Sequence, residues 1–224
     1  MSLPEALSDT TAGSSPKEVR SRDPEQTRRN ILDTATRVFA DKGFSGARVD
    51  EIAAQTRTTK RMIYYYFGSK EGLYGAVIER AYGRIRDAER SLELDALPPV
   101  QAMRQLVEAT FNHHHADPSF VRLVAGENIE GGRHVRAIPS IARRNAEVVS
   151  TMQRLLDRGV HEGSFRPGVD PLDLHLLING VSFHRVSNRH TLGAIFGRDL
   201  RDPEVARLQR DMLVEAVLAY LRPD

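Results

Sequence analysis

Proline recurs in this chain where a helix can begin and almost nowhere that a helix must continue. Asp23-Pro24, Pro98-Pro99, Asp117-Pro118, Pro139-Ser140, Asp170-Pro171 and Asp202-Pro203 each precede a run with helical spacing. Proline suits the first helical position because that N–H has no partner anyway, and a preceding Asp can cap the exposed amides. The runs that follow are apolar every three or four residues: Ile31, Leu32, Ala35, Val38 and Phe39; Leu73, Val77, Ala81 and Ile85; Met103, Leu106, Val107, Thr110 and Phe111. Period-two alternation appears nowhere, so the expected fold is all-α.

At 224 residues the chain can hold one large domain or two small ones. It has no run long and apolar enough for a membrane helix and no signal-peptide pattern. Cysteine is absent, which removes disulfides and thiolate chemistry and fits a cytoplasmic protein. Residues 17–75 carry 12 Lys and Arg against 8 Asp and Glu, residues 76–224 carry 20 of each, and all four lysines lie in the first segment. That local excess fits an anion-binding surface. Residues 1–22 are rich in Ser, Thr, Pro and Gly and read as a disordered tail. Its basic end, Lys17, Arg20 and Arg22, could lie along a polyanion.

The stretch from Thr58 to Tyr74 is the most informative. Ile63 and Phe67 fall on one face of a short helix, while Lys60, Arg61, Tyr64 and Tyr65 fall on the other. Cations and phenols on an exposed helix face suit phosphates and base edges. Gly68 ends this helix and Ser69 caps the next, with Glu71 in its first turn. A second short helix with Val49, Ile52 and Ala53 precedes it across Thr56-Arg57-Thr58. The pair has the layout of a helix-turn-helix.

Ile31-Leu32, Ala35, Phe39, Gly43-Phe44, Ile52-Ala53, Tyr64, Tyr66-Phe67, Ser69-Lys70-Glu71 and Leu73 resemble, at the family's spacing, the N-terminal domain of TetR/AcrR transcriptional regulators. The resemblance implies a DNA-binding domain over 23–86 and a larger helical regulatory and dimerisation domain over 87–224. It places Lys60, Arg61, Met62 and Tyr65 where the family reads bases. Thr59, Tyr64, Tyr66 and Lys70 fall where it contacts phosphates, with Thr58 at the helix start. Arg28 and Arg48, near helix N-termini, are further backbone candidates. Two positions depart from the family. Thr56-Arg57 stands where Ala-Gly is common, and Ala47 where a capping Thr is common, a loss of about 1 kcal/mol unless Ser45 or water substitutes.

The implied function is a ligand-responsive repressor that binds a palindromic double-stranded DNA operator as a homodimer and is released by a small-molecule effector. Neither metal nor cofactor is expected. An enzyme would need a phosphate-binding glycine loop, a paired-histidine metal motif or a nucleophile elbow, and none occurs. A purely architectural DNA binder would not need so large an apolar C-terminal half.

Phe111, His114, Phe120, Glu127 and Met152 are phased inward and are expected to line one ligand cavity or its wall. Three adjacent histidines, His113 to His115, point 100° apart and cannot converge on one ion; His114 alone is centred on its stripe. Glu127 is either ion-paired with Arg133 or Arg136 or a polar anchor in the cavity, with Asn128, His114 or His134 beside it. As an anchor it would favour an uncharged or cationic apolar effector. The 172–186 helix and the last helix carry more apolar residues than one core can cover, which points to a two-fold four-helix dimer contact.

Overall fold

The structure, a computed structural model, describes residues 23–223, and the expected N-terminal tail with its basic end lies outside them. Among the described residues there are helices and no strands. They are α1 (Pro24–Gly46), α2 (Val49–Gln55), α3 (Lys60–Phe67), α4 (Lys70–Arg90), α5 (Pro99–Ala116), α6 (Pro118–Ile129), α7 (Arg133–Arg136), α8 (Pro139–His161), α9 (Pro171–Ser187), α10 (Arg189–Phe196) and α11 (Pro203–Leu221), with a 3-10 turn at Leu94–Ala96.

The helix starts follow the sequence signals. Asp23, Asp117, Asp170 and Asp202 each accept from backbone N–H groups of the turn they open. Gly43, at φ 69°, interrupts the helical conformation near the end of α1, in the left-handed region where glycine avoids a Cβ clash. One expected detail differs. Ser45 does not cap α2, because its hydroxyl donates to Glu130, so α2 begins at Arg48 without a side-chain cap.

Two apolar clusters hold the molecule. The first joins Ile31 and Phe39 of α1, Ile52 of α2, Ile63 of α3 and Leu73 of α4, then continues into Phe120 and Leu123 of α6. The second joins Met103 and Phe111 of α5, Met152 of α8, Ile178 of α9, and Val214 and Val217 of α11. Each fully buried Ile, Leu or Phe contributes roughly 2 kcal/mol of transfer free energy. The first cluster therefore ties the helix-turn-helix to α6 by burial. Ion pairs from Arg122 to Asp41 (2.5 Å) and Arg84 to Asp117 (2.7 Å) flank that junction.

Helix α10 was not legible in the sequence, where 191–202 has no period. None of its residues is buried, and a helix that buries no face leaves no stripe. Helices α9 and α11 are two-sided. Leu174 and Ile178 point into the core while Leu176 and Leu177 are half exposed; Val214 and Val217 are buried while Leu208 and Met212 face outward.

Candidate nucleic-acid interface and interior cavity

Helix α3 stands on Ile63, which is fully buried against the first cluster. Thr59 caps it by accepting from the Met62 N–H at 3.2 Å, which leaves the hydroxyl proton available to an outside acceptor. Gly68 ends it at φ 75°, and Ser69 accepts from the Gly72 N–H to start α4 in a new direction. With both ends fixed, Lys60, Arg61, Met62, Tyr64 and Tyr65 are exposed, Tyr65 by 78%. Tyr66 is half-buried edge-on to Tyr65.

The cations near this face are held in different ways. Lys60 pairs with Asp50 at 3.0 Å, and that hydrogen bond and charge push its ammonium up. Both partners are exposed, so the pair is weak and a phosphate or guanine can displace Asp50 at little cost. Arg48, exposed at the start of α2, is close enough to Lys60 for their charges to oppose. Arg28 lies over the Phe67 ring at 5.4 Å and Lys70 over the Phe44 ring at 4.7 Å. Thr58 closes the turn, its N–H donating to the Ala53 carbonyl. Thr27, Asn30, Thr56 and Arg57 line a cleft of about 290 Å³ beside this turn, shared with Thr58. Sequence periodicity could not find it, because it forms where the start of α1 meets the turn.

The five residues phased inward in the C-terminal half do not share one cavity. His114 and Phe120 do, on the wall of a space of about 400 Å³ among α4, α5, α6, α8 and α9. Phe111 and Met152 are buried in the second apolar cluster instead. Glu127 is also buried but is not part of that wall. Its Oε1 accepts from the His134 N–H at 2.7 Å and the Val135 N–H at 3.1 Å, and its Oε2 lies 2.9 Å from His134 Nδ1. Burial alone would raise this carboxyl, but the Val135 N–H, the His134 ring and the His134 N–H outweigh it and hold it below the usual range. Its hydrogen-bonded side-chain partner is thus His134, not Arg133 or Arg136; Arg133 pairs with Glu130 and Arg136 donates to the Gly131 carbonyl. His134 packs against Phe44 and Tyr74, so Glu127 fastens α6 to α7 and to the first cluster.

The three adjacent histidines diverge. His113 packs on Phe120, His114 Nδ1 meets the Thr110 carbonyl at 2.8 Å, and His115 meets Arg185. Among the described residues no group of three or more His, Asp or Glu is gathered to hold a metal. Arg86, His175, Asn145 and Asn179 complete the cavity wall, and inward phasing on the helices chosen from the sequence did not single them out.

A capped helix presenting cations and phenols above a three-helix core, joined to a larger helical body, defines a helix-turn-helix DNA-binding regulator. Residues 31–77 match the family model for bacterial regulatory proteins, tetR family, and residues 99–217 match the tetracyclin repressor-like C-terminal domain. The HTH-type transcriptional repressor NicS of Pseudomonas putida is 36% identical over 186 residues, which is 83% of this chain and 88% of NicS. An HTH-type transcriptional repressor of Streptomyces coelicolor is 30% identical over 159 residues, 70% of this chain and 77% of that one. A solved transcriptional regulator of Streptomyces coelicolor superposes with a TM-score of 0.68 at 30% identity, covering 88% of this chain and 99% of the other. The chain belongs to the TetR family of transcriptional regulators. Among the described residues no helix is long and apolar enough to cross a membrane.

Proposed function

We propose that this regulator is a homodimeric repressor, that α3 reads its operator, and that a small molecule in the α4–α9 cavity releases it. The exposed face of α3, fixed at both ends by Thr59 and Gly68, carries the reading. Lys60 or Arg61 donates to guanine, Met62 meets a thymine methyl, and Tyr64, Tyr65 and Thr59 bond phosphates or base edges. One eight-residue helix reads too few bases, so two copies would sit in successive major grooves about 34–36 Å apart or a multiple of that distance.

Two observations support the rest. The residues Leu172 and Leu177 of α9 and Leu208, Met212 and Tyr220 of α11 are exposed apolar side chains of the kind a two-fold dimer covers. Helix α6 carries Phe120 and Val124 on the cavity, and its Glu127, outside the cavity lining, grips α7, whose His134 packs on Phe44 and Tyr74. A ligand that moves α6 would therefore move the base of the helix-turn-helix. Relatives are named accordingly: an A-factor receptor protein of Streptomyces griseus is 26% identical over 204 residues.

The test is fluorescence anisotropy with duplexes tiled across the DNA upstream of the protein's own gene and of its neighbours. One tile should bind with a salt-dependent, sequence-selective affinity and a stoichiometry of two chains per palindrome. Equal affinity for every tile would rule out operator recognition.

A further inference from the structure

Arg86 is 95% removed from solvent, lines the α4–α9 cavity and is incompletely satisfied. Among the described residues its one hydrogen bond runs from Nη1 to Glu89 at 2.5 Å, and its Nε is buried without a partner. Buried donors are almost always paired, so an orphaned guanidinium N–H on a cavity wall marks a place for an acceptor. With Nη1 occupied, the Nε–Nη2 edge remains, and two parallel N–H groups match the two oxygens of a carboxylate.

The rest of the wall agrees. Among the described residues no Asp or Glu lines this cavity, and Arg86 is its one Lys or Arg. Burial pushes His175 down to about 4 and lowers His114, with the Arg86 charge a lesser cause, so both rings are neutral at pH 7. Asn145 and Asn179 donate their amide N–H groups to the carbonyls of Ile141 and His175, one helical turn back, which leaves their side-chain oxygens as acceptors. Acceptor oxygens would repel a second negative charge. Tyr82, Phe120, Val124 and Phe183 supply apolar surface. A volume of about 400 Å³ suits a small molecule.

We propose that this cavity takes a small organic monocarboxylate with an apolar or aromatic body, its carboxylate seated on the free edge of Arg86. The inference rests on the reading of this cavity as the effector site. It also reverses the effector chemistry expected from the sequence, because the buried carboxylate of Glu127 lies outside the cavity and a buried cation, Arg86, lies on its wall.

The test uses two isosteric pairs, benzoate with benzamide and hexanoate with hexanamide, at millimolar concentration. Thermal shift of the full-length protein reads binding, and operator anisotropy reads release. At least one carboxylate should bind about tenfold or more tightly than its amide. Arg86→Gln should erase that preference. Glu89→Gln removes the negative charge that competes for Arg86 and should strengthen carboxylate binding; mere loss of the Arg86–Glu89 ion pair would weaken both variants alike, whereas a carboxylate seat moves them apart. The proposal is overturned if amides bind as well as carboxylates, if neither carboxylate binds, or if Arg86→Gln keeps the preference. Release by amides alone would leave the effector site standing and remove the anion. Arg86-dependent carboxylate binding without operator release would do the reverse.

Discussion

The face of α3 and the α4–α9 cavity are built by opposite means. Every residue of the α3 face lies within one eight-residue helix, and what each does depends on local spacing and two caps. The cavity draws Tyr82 and Arg86 from α4, His114 from α5, Phe120 from α6, Asn145 from α8, and His175, Asn179 and Phe183 from α9. Its walls are fixed by how five helices cross. A face that touches a polymer can be assembled locally and stay exposed. A cavity that encloses a ligand needs residues distant in sequence, and their rotation about each helix is settled only on packing.

The largest effect expected is on the local face. Changing Lys60, Arg61 and Tyr65 together to Ala should abolish selective operator binding while the melting temperature stays within a degree or two, since all three are exposed. Singly, Lys60→Ala or Arg61→Ala should cost about 1–3 kcal/mol and relax one base pair per half-site. Intact operator affinity in the triple variant would show that α3 is not the reading element.

The next effect concerns the surface behind the cavity. Leu177→Glu combined with Leu208→Glu places two charges on outward apolar positions, 45% and 47% exposed, and should halve the mass measured by light scattering and remove tight operator binding. Leu218 is a poorer choice, because it packs against the second cluster and a charge there would damage the fold. An unchanged mass near 50 kDa, about twice the 25.1 kDa chain, would place the dimer contact elsewhere.

Glu127 sharpens the boundary between the two regions. Glu127→Gln keeps the shape but weakens the hold on His134 and Val135, at a cost of about 1–3 kcal/mol of stability. The carboxylate-over-amide preference of the cavity should survive, because Glu127 does not face it. The pH dependence is separable in the same way. His113 and His175 are held at about 4 by burial, against an ordinary 6.5, so their contribution is complete above about 6.5 and is lost as pH falls toward 4. Glu127 is held below its ordinary range, so its contribution is present above about 4.3 and fades as pH falls through its folded value. Urea midpoints measured from pH 7 to pH 3 should fall throughout, and Glu127→Gln should flatten only the acid end. Flattening between 6.5 and 4.5 would mean that the histidines are not the neutral groups described.

The architecture was legible because proline and aspartate mark helix starts and because most helices bury one stripe. The four Asp caps expected, and the Gly68 and Ser69 signals between α3 and α4, rest on local chemistry of that kind. The cavity was less legible for a physical reason. Inward phasing identifies burial, but it does not distinguish a residue facing a void from one facing a neighbouring side chain. Phe111, Met152 and Glu127 are all buried, as phased, yet the first two fill a core and the third grips a backbone turn. Arg86 shares the α4 stripe by spacing with Tyr82, but a charged residue on an apolar face reads as solvated until the fold buries it.

The smallest effect lies in the turn that precedes α3. Arg57 has φ 51°, a left-handed conformation that costs a residue with a Cβ about 1–2 kcal/mol. The family resemblance puts a glycine at this position, and this chain holds an arginine in the left-handed region that glycine enters most easily. Replacing Arg57 by Gly alone would mix two effects, relief of the backbone and loss of the arginine side chain's own contacts. Comparing Arg57→Gly with Arg57→Ala removes the second, because both variants lose the side chain. Glycine gives back part of the gain through a freer unfolded chain, roughly 0.5–1 kcal/mol. The Gly variant should therefore be more stable than the Ala variant by about 0.5–1 kcal/mol, read as a shift in urea midpoint at constant slope. If Ala equals or exceeds Gly, the turn does not hold Arg57 left-handed in solution, and the approach of α3 to DNA is set by a different turn from the one described.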